Sequence, residues 1–467
     1  MSYMPVTDSM FLMAESREHP MHVGGLQLFT PPEGAGPDYV RSVVETMRSH
    51  VAVSEKFGRR PADPVGILGN TWWSDVDEID LEYHVRHSAL PQPGRIRELF
   101  QQVSLWHETL LDRHRPMWEV HVVEGLEDGR FAVFSKVHHS LVDGVSALRY
   151  MTLALSPDPN DREGRVVWQP GLGRRKRPAP SELETKGASK GLLPFNPLDT
   201  VKQVGGLTGE VLGMLPASLK VVGTSFRDHD YMAPFQAPNT IFNVPIGGAR
   251  RFVAQSYSLD RIDEVRRKAG ATVNDIVLAM CGGALRAYLE ELEVLPDRSL
   301  TAMVPVSLRK EGEEDSSNAV GAVIATLGTD LTDPAQRVTV IQDSVKAARK
   351  VMGELSPLQI LALSAANIAG LAPGMLPGYR GLTRPPFNLV ISNVPGPREA
   401  MYWNGAHLDG VYPASIAWEG QAANITICTN NRNLEFGIVA CRTAVPKVQR
   451  LIHHLEDALS ELEKAYA

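Results

Sequence analysis

The residues His138-His139-Ser140-Leu141-Val142-Asp143-Gly144 bring two imidazoles, a carboxylate and a glycine together within seven positions. A neutral imidazole takes a proton from a hydroxyl near pH 7, because its unperturbed pKa of about 6.5 lies close by. The carboxylate four residues beyond the second histidine orders the loop or fixes a ring tautomer, and the glycine lets the backbone turn tightly. General base catalysis is the chemistry this group suits. Ser140 adjoins the pair, but no serine, cysteine or lysine nearby stands in a recognisable nucleophile setting. That favours direct transfer within a ternary complex over a covalent intermediate. Two plainer readings compete. Ordinary loop histidines would leave Asp143-Gly144 unexplained, and metal ligation is disfavoured because adjacent side chains on an extended backbone diverge and no third ligand motif is present. No metal site is expected.

The elements around this group are legible from periodicity. Residues 22–29 read as a strand and 39–50 as a helix, with Val40, Val43, Val44 and Met47 on one face. Residues 95–111 read as a helix. A strand over 120–123, a turn over 125–129 and an alternating strand over 131–137 then form a hairpin that delivers the histidines. After Gly144, the positions Ala147, Leu148, Met151 and Leu155 return to a helical period. The motif thus sits between a strand and a helix, where loops carry side chains into clefts.

Composition changes over 156–239, where proline, glycine and charge concentrate, including Arg174-Arg175-Lys176-Arg177. This stretch reads as a linker with a helix over 198–222, its basic run a solvated tether. Beyond it, strands are expected over 252–259, 300–306, 320–327, 387–392, 424–429 and 434–441. Helices are expected over 260–268 with Asp260 as cap, over 272–292, and over 445–465, where His453-His454 should face outward. The predicted organisation is an α/β (α+β) chain of two mixed halves, residues 1–160 and 241–467, joined by a partly helical linker over 161–240.

With 467 residues there is room for two large domains, and 43% hydrophobic with 22% charged residues rules out wholesale disorder. A formal charge of −7 argues against nucleic acid as partner. Three scattered cysteines, Cys281, Cys428 and Cys441, suit neither a disulfide framework nor a Cys-rich zinc site, which points to a reduced cytoplasm. The N-terminus lacks the basic and apolar regions of a secretory signal. The uncharged stretch 355–379 is broken by Pro357, Pro373 and Pro377, too often for a spanning helix, and reads as a buried helix with an apolar exit. A phosphate loop of the Gly-x4-Gly-Lys-Ser/Thr type, Gly-x-Gly-x-x-Gly after a strand, and His-Glu-x-x-His are all absent.

The spacing His138-His139-x3-Asp143-Gly144 resembles the signature of acyl-CoA-dependent acyltransferases related to chloramphenicol acetyltransferase and peptide-synthetase condensation domains. Within that superfamily the chain is similar to the bacterial wax ester synthase/diacylglycerol acyltransferases, in particular the mycobacterial triacylglycerol synthases. The supporting residues span nearly the whole chain. They are Asp8-Ser9-Met10-Phe11, Pro20-Met21-His22-Val23-Gly24, Arg115-Pro116-Met117-Trp118-Glu119, Val273-Asn274-Asp275-Ile276-Val277, Pro305-Val306-Ser307-Leu308-Arg309, Ser392-Asn393-Val394-Pro395-Gly396-Pro397 and Asn424-Ile425-Thr426-Ile427-Cys428. Met117 departs from the family, which often has leucine there; the swap conserves volume.

The resemblance implies two chloramphenicol acetyltransferase-like domains with a tunnel between them. It implies no cofactor, with long-chain acyl-CoA as co-substrate and diacylglycerol or a fatty alcohol as acceptor, and peripheral contact with a membrane or lipid droplet. His139 is then the base and His138 its support. Asp143 points away from substrate toward an arginine, for which Arg309 is the candidate. Asn274 holds the acceptor or the oxyanion, or with Asp275 merely caps a helix. The apolar segment 357–376 walls the acyl chain. The shorter pattern His138-x4-Asp143 also matches the glycerolipid acyltransferases, where His138 would be the base, but nothing else of that pattern is present. A non-catalytic lipid-binding or droplet-coating protein is the alternative of another class.

Overall fold

A computed structural model describes residues 1–62, 71–172, 231–307, 320–353, 359 and 384–467. The basic run at 174–177, the expected helix over 198–222, Arg309 and, apart from residue 359, the apolar segment 357–376 lie outside these residues.

Two six-stranded mixed sheets carry the chain. The first runs Tyr402–Trp403, Ala406–Ala414, His22–Thr30, Phe131–His138, Trp118–Glu124 and Val85–Ala89, with only the last pair parallel. The second runs Val320–Thr326, Thr301–Ser307, Leu389–Val394, Ala423–Asn430, Asn433–Cys441 and Arg250–Ser258, and here Leu389–Val394 is parallel to both its neighbours. The hairpin and the β-strands expected from alternation are present, as are the helices Tyr39–Ser49, Ile96–Glu108, Gly144–Leu153 and Val273–Glu291.

One connection has no counterpart in the sequence reading. The strand Ala406–Ala414 leaves the second half of the chain and pairs with His22–Thr30 in the first sheet. It thereby closes the seam between the sheets. Cys428 donates to the Val411 carbonyl at 3.1 Å, and Tyr412 and Ser256 share a hydroxyl hydrogen bond of 2.9 Å. Leu26, Leu28, Phe134 and Tyr412 from one sheet pack with Phe252, Ala254 and Val439 from the other in a common core. Gly437 is required at this approach, since a Cβ there would stand 1.8 Å from the Pro413 carbonyl oxygen.

Three expectations need correcting. Asp260 does not cap its helix; the helix Leu259–Ala269 begins after Ser258 and holds Asp260 in its first turn, where a carboxylate suits the helix dipole. The closing helix starts at Arg450, five residues late. On it His453 is exposed, but His454 turns inward and sits 3.0 Å from Glu291, because the apolar stripe Leu451, Leu455, Ala458, Leu459 and Leu462 includes its position. The helix Val273–Glu291 is buried on nearly all sides, between Pro334–Gly353 and Arg450–Ala465, which accounts for its continuous apolar run.

Candidate active site

The histidine loop is fixed at one end by the first sheet and at the other by a helix cap. Its strand ends on the pair His138–His22, and the backbone then continues the ladder: the His138 N–H donates to Met117 O at 2.9 Å and the His139 N–H to Met21 O at 2.8 Å. Beyond the turn, Asp143 caps the helix Gly144–Leu153, accepting from the Ser146 N–H and hydroxyl at 2.8 Å each. The local sequence fixes this geometry. An Asp followed three residues later by Ser satisfies the otherwise unpaired N–H groups of the first turn.

The two imidazoles diverge. His138 is fully buried. Its Nδ1 accepts from the Ser140 N–H at 3.1 Å and lies 2.7 Å from the Ser140 hydroxyl, so in the neutral ring the proton sits on Nε2. That Nε2 lies 3.3 Å from Glu15 Oε1, off line for a regular hydrogen bond. Ser140 is thereby committed to His138 and is not a nucleophile on the cavity wall.

His139 turns the other way. Its ring stacks on Phe11 with centroids 4.0 Å apart and borders a cavity of about 540 Å³. Burial pulls its pKa down to about 4; the Asp143 carboxylate opposes that shift and His138 reinforces it. At neutral pH the ring is therefore uncharged. Nδ1 is enclosed against the residue's own main chain, which leaves Nε2 as the nitrogen available to a substrate.

The cavity is walled by both halves of the chain. Val23, Gly144 and Leu148 come from the first sheet and its helix, and Asn393, Asn424 and Thr426 from the second. Asn393 belongs to the strand Leu389–Val394, while Pro395 carries the wall onward. The Thr426 hydroxyl donates to Asn424 Oδ1 at 2.8 Å, which leaves the Asn424 NH2 group as a donor on this wall.

The structure brings His139, Asp143 and Gly144 to one cavity, with His138 immediately behind. It does not bring Asn274 and Asp275 there. Asp275 accepts from the Thr272 N–H at 2.9 Å and the Thr272 hydroxyl at 2.8 Å, a capping box, and neither residue lines the cavity. For that pair the helix-cap alternative describes the observed contacts. Among the described residues Asp143 has Ser146 as its hydrogen-bond partner and no arginine; Arg309 lies outside them. Among the described residues no group of three or more His, Cys, Asp or Glu is placed to hold a metal ion.

One residue packed against the histidine motif escaped the sequence reading. Glu15 follows the helix Val6–Ala14 and is almost wholly enclosed. It accepts from Arg113 Nη2 at 2.9 Å and Nε at 3.2 Å, and from the Met21 N–H at 3.2 Å. Burial pushes its carboxyl up, but His138, Arg113 and the Met21 amide outweigh burial and hold it below the ordinary value. Glu15 thus braces His138 directly and His139 through Met21. No spacing in the sequence connects position 15 to the motif; its proximity is a product of the tertiary fold.

Comparison with known proteins gives the family. Residues 4–277 match the wax ester synthase/diacylglycerol acyltransferase catalytic domain, and residues 316–463 the C-terminal domain of the same family. A protein named as a probable diacylglycerol O-acyltransferase of Mycobacterium tuberculosis is 50% identical over 100% of this chain and 99% of its own. The chain belongs to the wax ester synthase/diacylglycerol acyltransferase family. The O-acyltransferase WSD of Acinetobacter baylyi is 40% identical over 98% of this chain and 96% of its own. The solved wax ester synthase/diacylglycerol acyltransferase from Marinobacter aquaeolei VT8 superposes with a TM-score of 0.78 at 39% identity, covering 100% of both chains. The first condensation domain of the calcium-dependent antibiotic synthetase, at 15% identity and a TM-score of 0.58, shares the fold alone. The family expected from the quoted motifs is thus the family found.

Proposed function

We propose that this acyltransferase moves a long-chain acyl group from CoA to the free hydroxyl of a diacylglycerol, giving triacylglycerol, with His139 as general base. The observation that carries the reading is the His139 imidazole on the wall of a cavity that both halves of the chain line. In this mechanism Nε2 of His139 takes the hydroxyl proton as the oxygen attacks the thioester carbonyl. The proposed donor to the tetrahedral oxyanion is the Asn424 NH2, on the part of the cavity wall that the second sheet supplies. Collapse expels CoA, whose sulfur recovers the proton from the imidazolium. Enclosed donors stabilise such an oxyanion far more than they would in water. His138 and Asp143 are positioning residues: one holds the loop against Glu15, the other caps the helix and offsets the charge on His139.

Fatty alcohols present the same primary chemistry to His139, so wax ester formation is the second reading. No helix among the described residues is long and apolar enough to cross a membrane. Contact with the membrane or droplet that supplies the lipid acceptor is accordingly proposed as peripheral, from the cytoplasm.

The test is CoA release from palmitoyl-CoA with dioleoylglycerol or hexadecanol as acceptor, followed across pH. The base must be unprotonated, so activity falls when protons are added. With the ring pulled down to about 4, kcat/KM should hold through pH 6 and fall by half only near pH 4, not near the ordinary histidine value of about 6.5. Acceptor-independent release, or an acid limb centred near 6.5, contradicts this assignment.

A further inference from the structure

Behind the His139 cavity, two voids of about 30 Å³ each lie between the helix Gly144–Leu153 and the first sheet. They are not independent of it. Met151 borders all three spaces, Gly24 borders the main cavity and the first void, and Val120, Ser135 and Val167 border both voids. Among the described residues, Met151 is the one common to all three linings. It occupies the place a side chain would fill at Gly25, since a Cβ built there would stand 2.7 Å from Met151 Cε and 2.8 Å from its Sδ. Methionine is unbranched, with three rotatable bonds, and adapts to irregular space at little cost. The voids are lined mainly by apolar groups, and such cavities stay dry and take hydrocarbon rather than water.

We propose that this row of spaces is a subsite for the hydrocarbon chain of a substrate, with Met151 as its gate. A chain entering from the His139 cavity displaces the thioether and runs beneath the helix toward Trp168 and Trp403. Those two indoles form a fixed end wall. Trp168 donates to the His50 carbonyl at 3.0 Å and Trp403 to the Arg165 carbonyl at 2.6 Å, so neither rotates away without breaking a hydrogen bond. A movable gate before a fixed wall sets a maximum chain length. The proposal rests on acyl transfer at His139. The acyl chain of the thioester and the alkyl chain of the acceptor share the required chemistry.

The experiment uses the purified full-length chain and the variants Met151→Phe, Met151→Ala and Gly25→Ala. In one arm, decanoyl-, palmitoyl- and arachidoyl-CoA are compared with one acceptor; in the other, decanol, hexadecanol and eicosanol are compared with palmitoyl-CoA. Met151→Phe and Gly25→Ala, which crowd the gate from either side, should lower the long-to-short ratio of kcat/KM by roughly tenfold. Met151→Ala should raise the preference for the longest chain several-fold. A shift in the first arm assigns the subsite to the thioester, and a shift in the second to the acceptor. The methyl added by Gly25→Ala crowds the flexible end of Met151 and meets the Tyr412 carbonyl only at an ordinary 4.0 Å, so this variant keeps the test open if the bulkier change does not fold. Ratios within about twofold of wild type in both arms overturn the subsite while leaving acyl transfer intact. Absence of transfer by the wild-type protein would instead strike the underlying reading.

Discussion

Replacing His139 with alanine is expected to lower acyl transfer by about 10²–10⁴-fold, the range that removing a positioned general base normally costs. The replacement leaves the loop standing, because the main chain of residue 139 is held by Met21 and its ring touches Phe11 at the cavity edge. His138→Ala should behave differently. It removes the acceptor of the buried Ser140 N–H and the ring facing Glu15, so stability should fall by about 1–3 kcal/mol. Its kcat should drop only about tenfold, through misplacement of the loop. Comparing kcat, KM and thermal unfolding for both variants separates the roles. Activity that survives in His139→Ala but not in His138→Ala would transfer the base to His138.

The second large effect is expected at Glu15. Its carboxylate is almost fully enclosed and accepts from Arg113 and Met21 beside the His138 ring. Removing one member of a buried ionic group leaves the others uncompensated, which typically costs about 3–5 kcal/mol. Arg113 remains partly exposed and recovers some hydration, so Glu15→Ala should sit near the lower end, about 3 kcal/mol. Glu15→Gln keeps an acceptor for the Met21 N–H and should lose less. Denaturant unfolding of the two variants checks this ordering. A Glu15→Ala protein within about 0.5 kcal/mol of wild type would remove Glu15 from the support of the site.

The parts of this arrangement that are local in sequence were readable there. The strand, turn and helix around 131–155 announce themselves by alternation, by Gly144 and by a helical period, and Asp143 stands where a cap is needed. Thr272-Val273-Asn274-Asp275 likewise carried its own cap alternative, which the hydrogen bonds adopt. What stayed hidden depends on pairing over long separations. The strand Ala406–Ala414 contains Gly410 and Pro413, both poor strand residues, and it is held as a strand by His22–Thr30 nearly four hundred positions away. Glu15 gave no signal because a single carboxylate acquires meaning only once Arg113 and His138 are folded against it. The cavity wall from Ser392 to Thr426 could be quoted as motif residues but not joined into one surface, since the strands that pair Ser392 with Thr426 are adjacent only in the sheet.

The central claim is that His139 activates the acceptor for direct attack on the thioester, and rapid-mix measurement of CoA thiol from palmitoyl-CoA tests it most directly. Wild-type protein should release no enzyme-equivalent burst without an acceptor, and steady release, matched by triacylglycerol, once dioleoylglycerol is added; His139→Ala should show neither. A stoichiometric burst before acceptor addition, or undiminished release by His139→Ala, would contradict the account.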